Sequence, residues 1–140
     1  MTRPTLLSFG ATIAGFLLVL AMMFIPAVGE PFQGSEIFLV PFAAFFVFGL
    51  LLTVSAFRER PKGRTRAYLL LTGLSAAGIF VGIILHNLVY ALFILLGGED
   101  FWERTGLGDE PVFFLMSMLV LPVTFVIGAT GSLIRLWKRR

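Results

Sequence analysis

The chain has 140 residues, 58% of them hydrophobic and only 14% charged, and its mean hydropathy of +0.96 excludes an ordinary water-soluble fold. Lys and Arg outnumber Asp and Glu by 11 to 8, but the basic residues lie in short clusters beside apolar stretches rather than on a folded basic face, so nucleic-acid binding is not expected. The absence of cysteine removes disulfides, thiolate metal sites and thiol redox chemistry together.

A helix needs about 20 apolar residues to cross a hydrocarbon core of about 30 Å, and four stretches meet that length. The first, residues 5–28, carries no charge and contains Pro26 near its end. A secretory signal peptide is the competing reading, with Arg3 as a basic start and Ala27-Val28-Gly29 as a small-residue cleavage site, although the apolar run exceeds a usual signal core. Residues 29–36 form a short polar loop. The second stretch, 37–57, is rich in phenylalanine and has Pro41 in its first turns, where a missing amide is tolerated. The third, 67–96, is longer than a bilayer requires and should tilt or protrude. After a loop over 97–111, the fourth, 112–136, carries Pro122 near its middle. The expected architecture is all-α: one membrane domain, a left-handed bundle of four helices running up-down-up-down.

Charge sets the expected direction. Arg3, the cluster Arg58, Arg60, Lys62, Arg64 and Arg66, and the final Arg135, Lys138, Arg139 and Arg140 hold ten of the eleven basic residues. The loops at 29–36 and 97–111 are acidic apart from Arg104. Short cytoplasmic loops collect Lys and Arg, so both termini and the 58–66 loop are expected inside. Tyr68 and Trp137 should lie at the inner boundary and Trp102 at the outer one. The basic loop could also dock anionic head groups, at about 1 kcal/mol per Lys or Arg, but a topology signal alone accounts for it. Asp109 and Glu110, before Pro111, suit a helix cap; weak divalent-cation binding is the alternative.

Within the spans, small and polar residues carry the information. Leu74, Gly78, Gly82, His86 and Tyr90 recur every four residues and share a helix face, and Thr124, Gly128 and Ser132 form a matching row on the fourth span, with Gly131 beside it. Such small-residue rows let helices approach closely, inside one protomer or between copies. His86 is the single histidine. Counting from Leu96 puts it about 15 Å deep, near the midplane and level with Pro122. Proline at 122 frees the carbonyl of Met118, and His86 or Asn87, with Tyr90 as a further donor, is expected to satisfy it. A proton-carrying or ligand-binding His86 is the alternative.

All eight acidic residues fall outside the four spans, which argues against a proton-coupled multidrug exporter. With no buried acid, the paired aspartates, serine–base or zinc sets of an intramembrane protease cannot be assembled. Haem or chlorophyll ligation by His86 is chemically possible, but no second axial ligand is evident and no cofactor is expected.

The segments Thr72-Gly73-Leu74-Ser75-Ala76-Ala77-Gly78, Leu85-His86-Asn87-Leu88-Val89-Tyr90 and Asp109-Glu110-Pro111-Val112-Phe113-Phe114 resemble those of small prokaryotic four-span proteins that carry no assigned function. That resemblance implies a cytoplasmic-membrane protein of bacterial or archaeal type and brings no catalytic residue. The leading expectation is a non-catalytic protein acting by helix association, as an accessory or assembly subunit or an oligomeric scaffold in the bilayer. A small homo-oligomeric channel or carrier, with a polar path at His86, Asn87 and Tyr90, is the alternative; a lipid-modifying enzyme or pigment binder comes third.

Overall fold

The computed structural model describes residues 2–138, so Arg139 and Arg140 lie outside the described residues. The described chain is helical throughout, with four helices long and apolar enough to cross a membrane: α1 (Arg3–Phe24), α2 (Val40–Glu59), α3 (Arg64–Gly97) and α4 (Pro111–Trp137).

Proline and glycine set the boundaries. α1 stops earlier than the apolar run because Ile25, which precedes Pro26, is extended at φ −110° and ψ 103°; a residue before proline is pushed out of the helical region. A separate helical turn, Pro26–Gly29, follows. α2 is entered through a 3-10 turn at Glu36–Leu39 with Ser35 capping the Ile37 amide, and it ends where Arg60 adopts φ +48° ahead of Pro61. α3 runs for 34 residues, about 51 Å at 1.5 Å per residue, and Gly98 at φ +91° terminates it. The chain then folds back through a short turn, Phe101–Arg104. Inside α4 a π turn at Met116–Val120 lets the Leu121 amide reach the Met116 carbonyl, re-registering the ladder just ahead of Pro122.

α1 packs on α2, α2 on α3 and α3 on α4. Glycines set how closely. A Cβ on Gly73 would meet the Gly49 carbonyl oxygen at 2.8 Å, and one on Gly128 would meet the Thr72 amide at 2.7 Å, so these crossings bring backbone against backbone. The core joins Val19, Phe42, Phe45, Ile79 and Phe125 from all four helices. A second cluster, Phe9, Leu52, Ala56 and Leu69, lies toward the basic loop. There the Glu59 carboxylate accepts from the Thr5 hydroxyl at 2.5 Å and the Thr2 amide at 2.7 Å, tying the start of α1 to the end of α2.

Candidate functional site

Of the α3 row expected from spacing, Gly78 and Gly82 meet α4, and Thr72 and Ser75 extend the same contact. Gly128 seats against Thr72, Ser75 bonds Thr124 at 2.7 Å, Gly78 faces Leu121, and Gly82 faces the Ser117 hydroxyl. Thr124 donates to the Leu121 carbonyl and therefore accepts from Ser75. Ser132 is fully buried on the same row, with its hydroxyl unpartnered. Leu74 departs from the row and is exposed, because a strict four-residue step drifts around a helix of 3.6 residues per turn.

His86 stands elsewhere than expected. Its Nδ1 lies 3.2 Å from both the carboxylate and the main-chain carbonyl of Glu110, and its Nε2 lies 3.7 Å from Asp109. Asn87 donates to the Ile83 carbonyl on its own helix. Among the described residues neither side chain bonds Met118; the π turn instead re-registers the ladder there, with the Leu121 amide donating to the Met116 carbonyl. The expected level with Pro122 is corrected for a geometric reason. α3 overshoots the start of α4 by about three turns, so His86 is level with Glu110 and the first turn of α4 rather than with Pro122, about 18 Å further along α4.

Glu110 is the residue that sequence reasoning placed too simply. It caps α4, accepting from the amides of Val112, Phe113 and Phe114, and it is also 97% buried against His86. Burial pushes its carboxyl up, but the Phe113 amide, the His86 ring and the Val112 and Phe114 amides outweigh that and hold it below the usual 4.5. The expectation of no buried acid is thus corrected: a histidine–carboxylate pair exists. The available signal was Glu110-Pro111 itself, a cap whose second carboxylate oxygen has room for another donor.

Beyond His86, α3 carries an aromatic cap. Tyr90 stacks on Trp102 at 5.8 Å with an interplanar angle of 4°, and the Trp102 indole donates to the Tyr90 carbonyl. Phe93 packs on both Phe101 and Trp102, and the Arg104 guanidinium holds the Gly97 carbonyl. Tyr90 therefore belongs to the fold of the 98–110 segment. In the basic loop, Arg58, Arg60, Lys62 and Arg64 are exposed, as is Lys138, whereas Arg66 is half-buried with its guanidinium 5.4 Å from the Phe57 ring.

Below the His86–Glu110 pair lies a cavity of about 490 Å³. Its walls come from the last turns of α1, the start of α2, the middle of α3 and the first turns of α4, and His86, Asn87 and Ser117 are its polar lining. α1 and α4 meet across it chiefly through Phe16 on Phe125 at 4.3 Å; Phe45 closes the same cluster against both rings, flooring the cavity toward the basic end. At the rim Phe24, Leu39 and Met118 are 74%, 59% and 48% exposed, so the cavity opens on the apolar outer surface of the bundle. Ser117 donates to the Phe113 carbonyl at 2.7 Å and is not aligned as a nucleophile. Among the described residues no group of three His, Cys, Asp or Glu is placed to hold a metal ion.

Fold and site together define a four-helix protein apolar enough to span a membrane, with a histidine–carboxylate pair above an apolar cavity. No family model, curated protein or solved structure matches the chain.

Proposed function

We propose that this is a non-catalytic accessory protein of a prokaryotic cytoplasmic membrane that acts by association, and that what it associates with is a hydrophobic guest taken from the bilayer into the cavity beneath His86. The cavity carries this reading. At about 490 Å³ it falls within the range of small-molecule sites; its walls are apolar with a few converging polar groups, and its rim faces the region that lipid occupies.

The spans alternate in direction, with both termini and the 58–66 loop in the cytoplasm. Charge supports this, since the basic clusters gather at one end and the acidic loops at the other. The cavity then lies in the outer half of the membrane. Association of copies through the glycine faces has less support, because Gly78, Gly82 and Gly128 are occupied by Leu121, Ser117 and Thr72 of the same chain. A conducting path through one protomer is disfavoured by the rings of Phe16, Phe45 and Phe125.

Native mass spectrometry of the chain gently extracted from its own membrane tests the reading. The expected result is a retained non-protein mass, lost when Ile83→Trp fills the cavity. A bare chain, or an adduct indifferent to Ile83→Trp, contradicts it.

A further inference from the structure

Resting on the reading that the cavity holds a bilayer guest, we infer that the guest is a neutral lipid-soluble molecule with a hydroxyl at its polar end, a long-chain or isoprenoid alcohol or phenol, whose O–H donates to Nε2 of His86.

The hydrogen-bond inventory of the polar wall selects this chemistry. Nδ1 of His86 faces two acceptors, the carboxylate and the carbonyl of Glu110, both at 3.2 Å. With a single proton on the ring, these acceptors are met only if it sits on Nδ1, which leaves a lone pair at Nε2. The partner Asp109 stands 3.7 Å from Nε2, beyond hydrogen-bond reach. Ser117 has its proton committed to Phe113 and offers only acceptance. Asn87 spends one N–H on Ile83, leaving its carbonyl oxygen and one donor. Acceptors thus outnumber donors along the polar lining: a guest that donates has His86, Ser117 and the Asn87 oxygen to choose from, whereas a ketone or ester has only the remaining Asn87 N–H.

Charge narrows the head group further. No Lys or Arg lines the cavity, and the nearest charges are the Glu110 and Asp109 carboxylates. A phosphate or carboxylate head has no counter-charge there and meets repulsion. The remaining walls, including Phe16, Phe42, Phe80 and Phe114, suit a single hydrocarbon chain or ring.

The test uses the full chain in detergent with three probes of matched length: 1-hexadecanol, 2-hexadecanone and hexadecane, their retention read by native mass spectrometry. Wild type should retain the alcohol about tenfold better than the ketone or alkane, the worth of one buried hydrogen bond. His86→Phe should bring the alcohol down to the alkane level without changing the alkane, and His86→Gln, which keeps an acceptor, should restore part of the preference. Equal retention of alcohol, ketone and alkane by wild type overturns the hydroxyl assignment while leaving the cavity reading intact, and this comparison needs no variant to fold. Failure to retain any probe, or retention unaffected by Ile83→Trp, overturns the cavity reading itself.

Discussion

Glu110 does three things at once: it ends the loop, caps α4 and faces Nδ1 of His86 with both its carboxylate and its carbonyl. Glu110→Ala should therefore cost about 1–3 kcal/mol in thermal unfolding, combining a lost cap with an unpaired imidazole N–H. The pH dependence follows from the direction of its shift. Its folded carboxyl titrates below the ordinary 4.5, so its stabilisation is complete above that value and disappears as pH falls through the folded one. His86 and Asp109 are the ionisable groups beside it. In an acid titration of unfolding temperature, wild type should lose its advantage over Glu110→Gln below pH 4.5; a constant difference would count against the pair. From sequence, the cap is readable at Asp109-Glu110-Pro111, and so is the interest of His86 as the chain's single histidine, set within a span. Their contact is not, because no spacing rule tells how far α3 runs past the start of α4.

At the scale of helices, the small-residue rows determine how α3 is sandwiched. Gly73 touches the α2 backbone and Gly128 the α3 backbone, so Gly128→Val should destabilise by about 1–3 kcal/mol or block folding through overpacking. Gly10 has nothing within 4 Å of a built Cβ and is the matched control: Gly10→Ala should be neutral or stabilising by up to about 1 kcal/mol. Equal effects at the two sites, measured by thermal unfolding in detergent, would contradict close packing at Gly128. The element boundaries show where sequence reading stops. Hydropathy located the four long apolar helices, but the end of α1 at Phe24 follows from Ile25 preceding Pro26. The π turn before Pro122 is a response of the backbone to packing that no local pattern announces. Sequence marks 97–111 as an acidic loop with Trp102 at a boundary and a cap at Asp109 and Glu110, but not its fold-back, whose order comes from Trp102 and Phe101 meeting Tyr90 and Phe93 on α3.

For the whole molecule, two claims can be separated. Orientation is tested by single introduced cysteines, which the cysteine-free sequence makes unambiguous. In whole cells, Leu107→Cys should react with an impermeant maleimide, and Lys62→Cys only after the membrane is opened. The reverse pattern would invert the topology without touching the cavity. The central claim, that the outer half of the bundle holds a guest from the bilayer, is tested most directly by photo-crosslinking with a diazirine-bearing hexadecanol. The probe is loaded in membranes, and the protein is then extracted and washed in unlabelled detergent before irradiation. Adducts confined to cavity-wall residues such as Leu20, Met23, Ile83 and Met118 are the predicted result; adducts spread over outward-facing positions such as Leu7, Leu50 and Val126, or none at all, would contradict it.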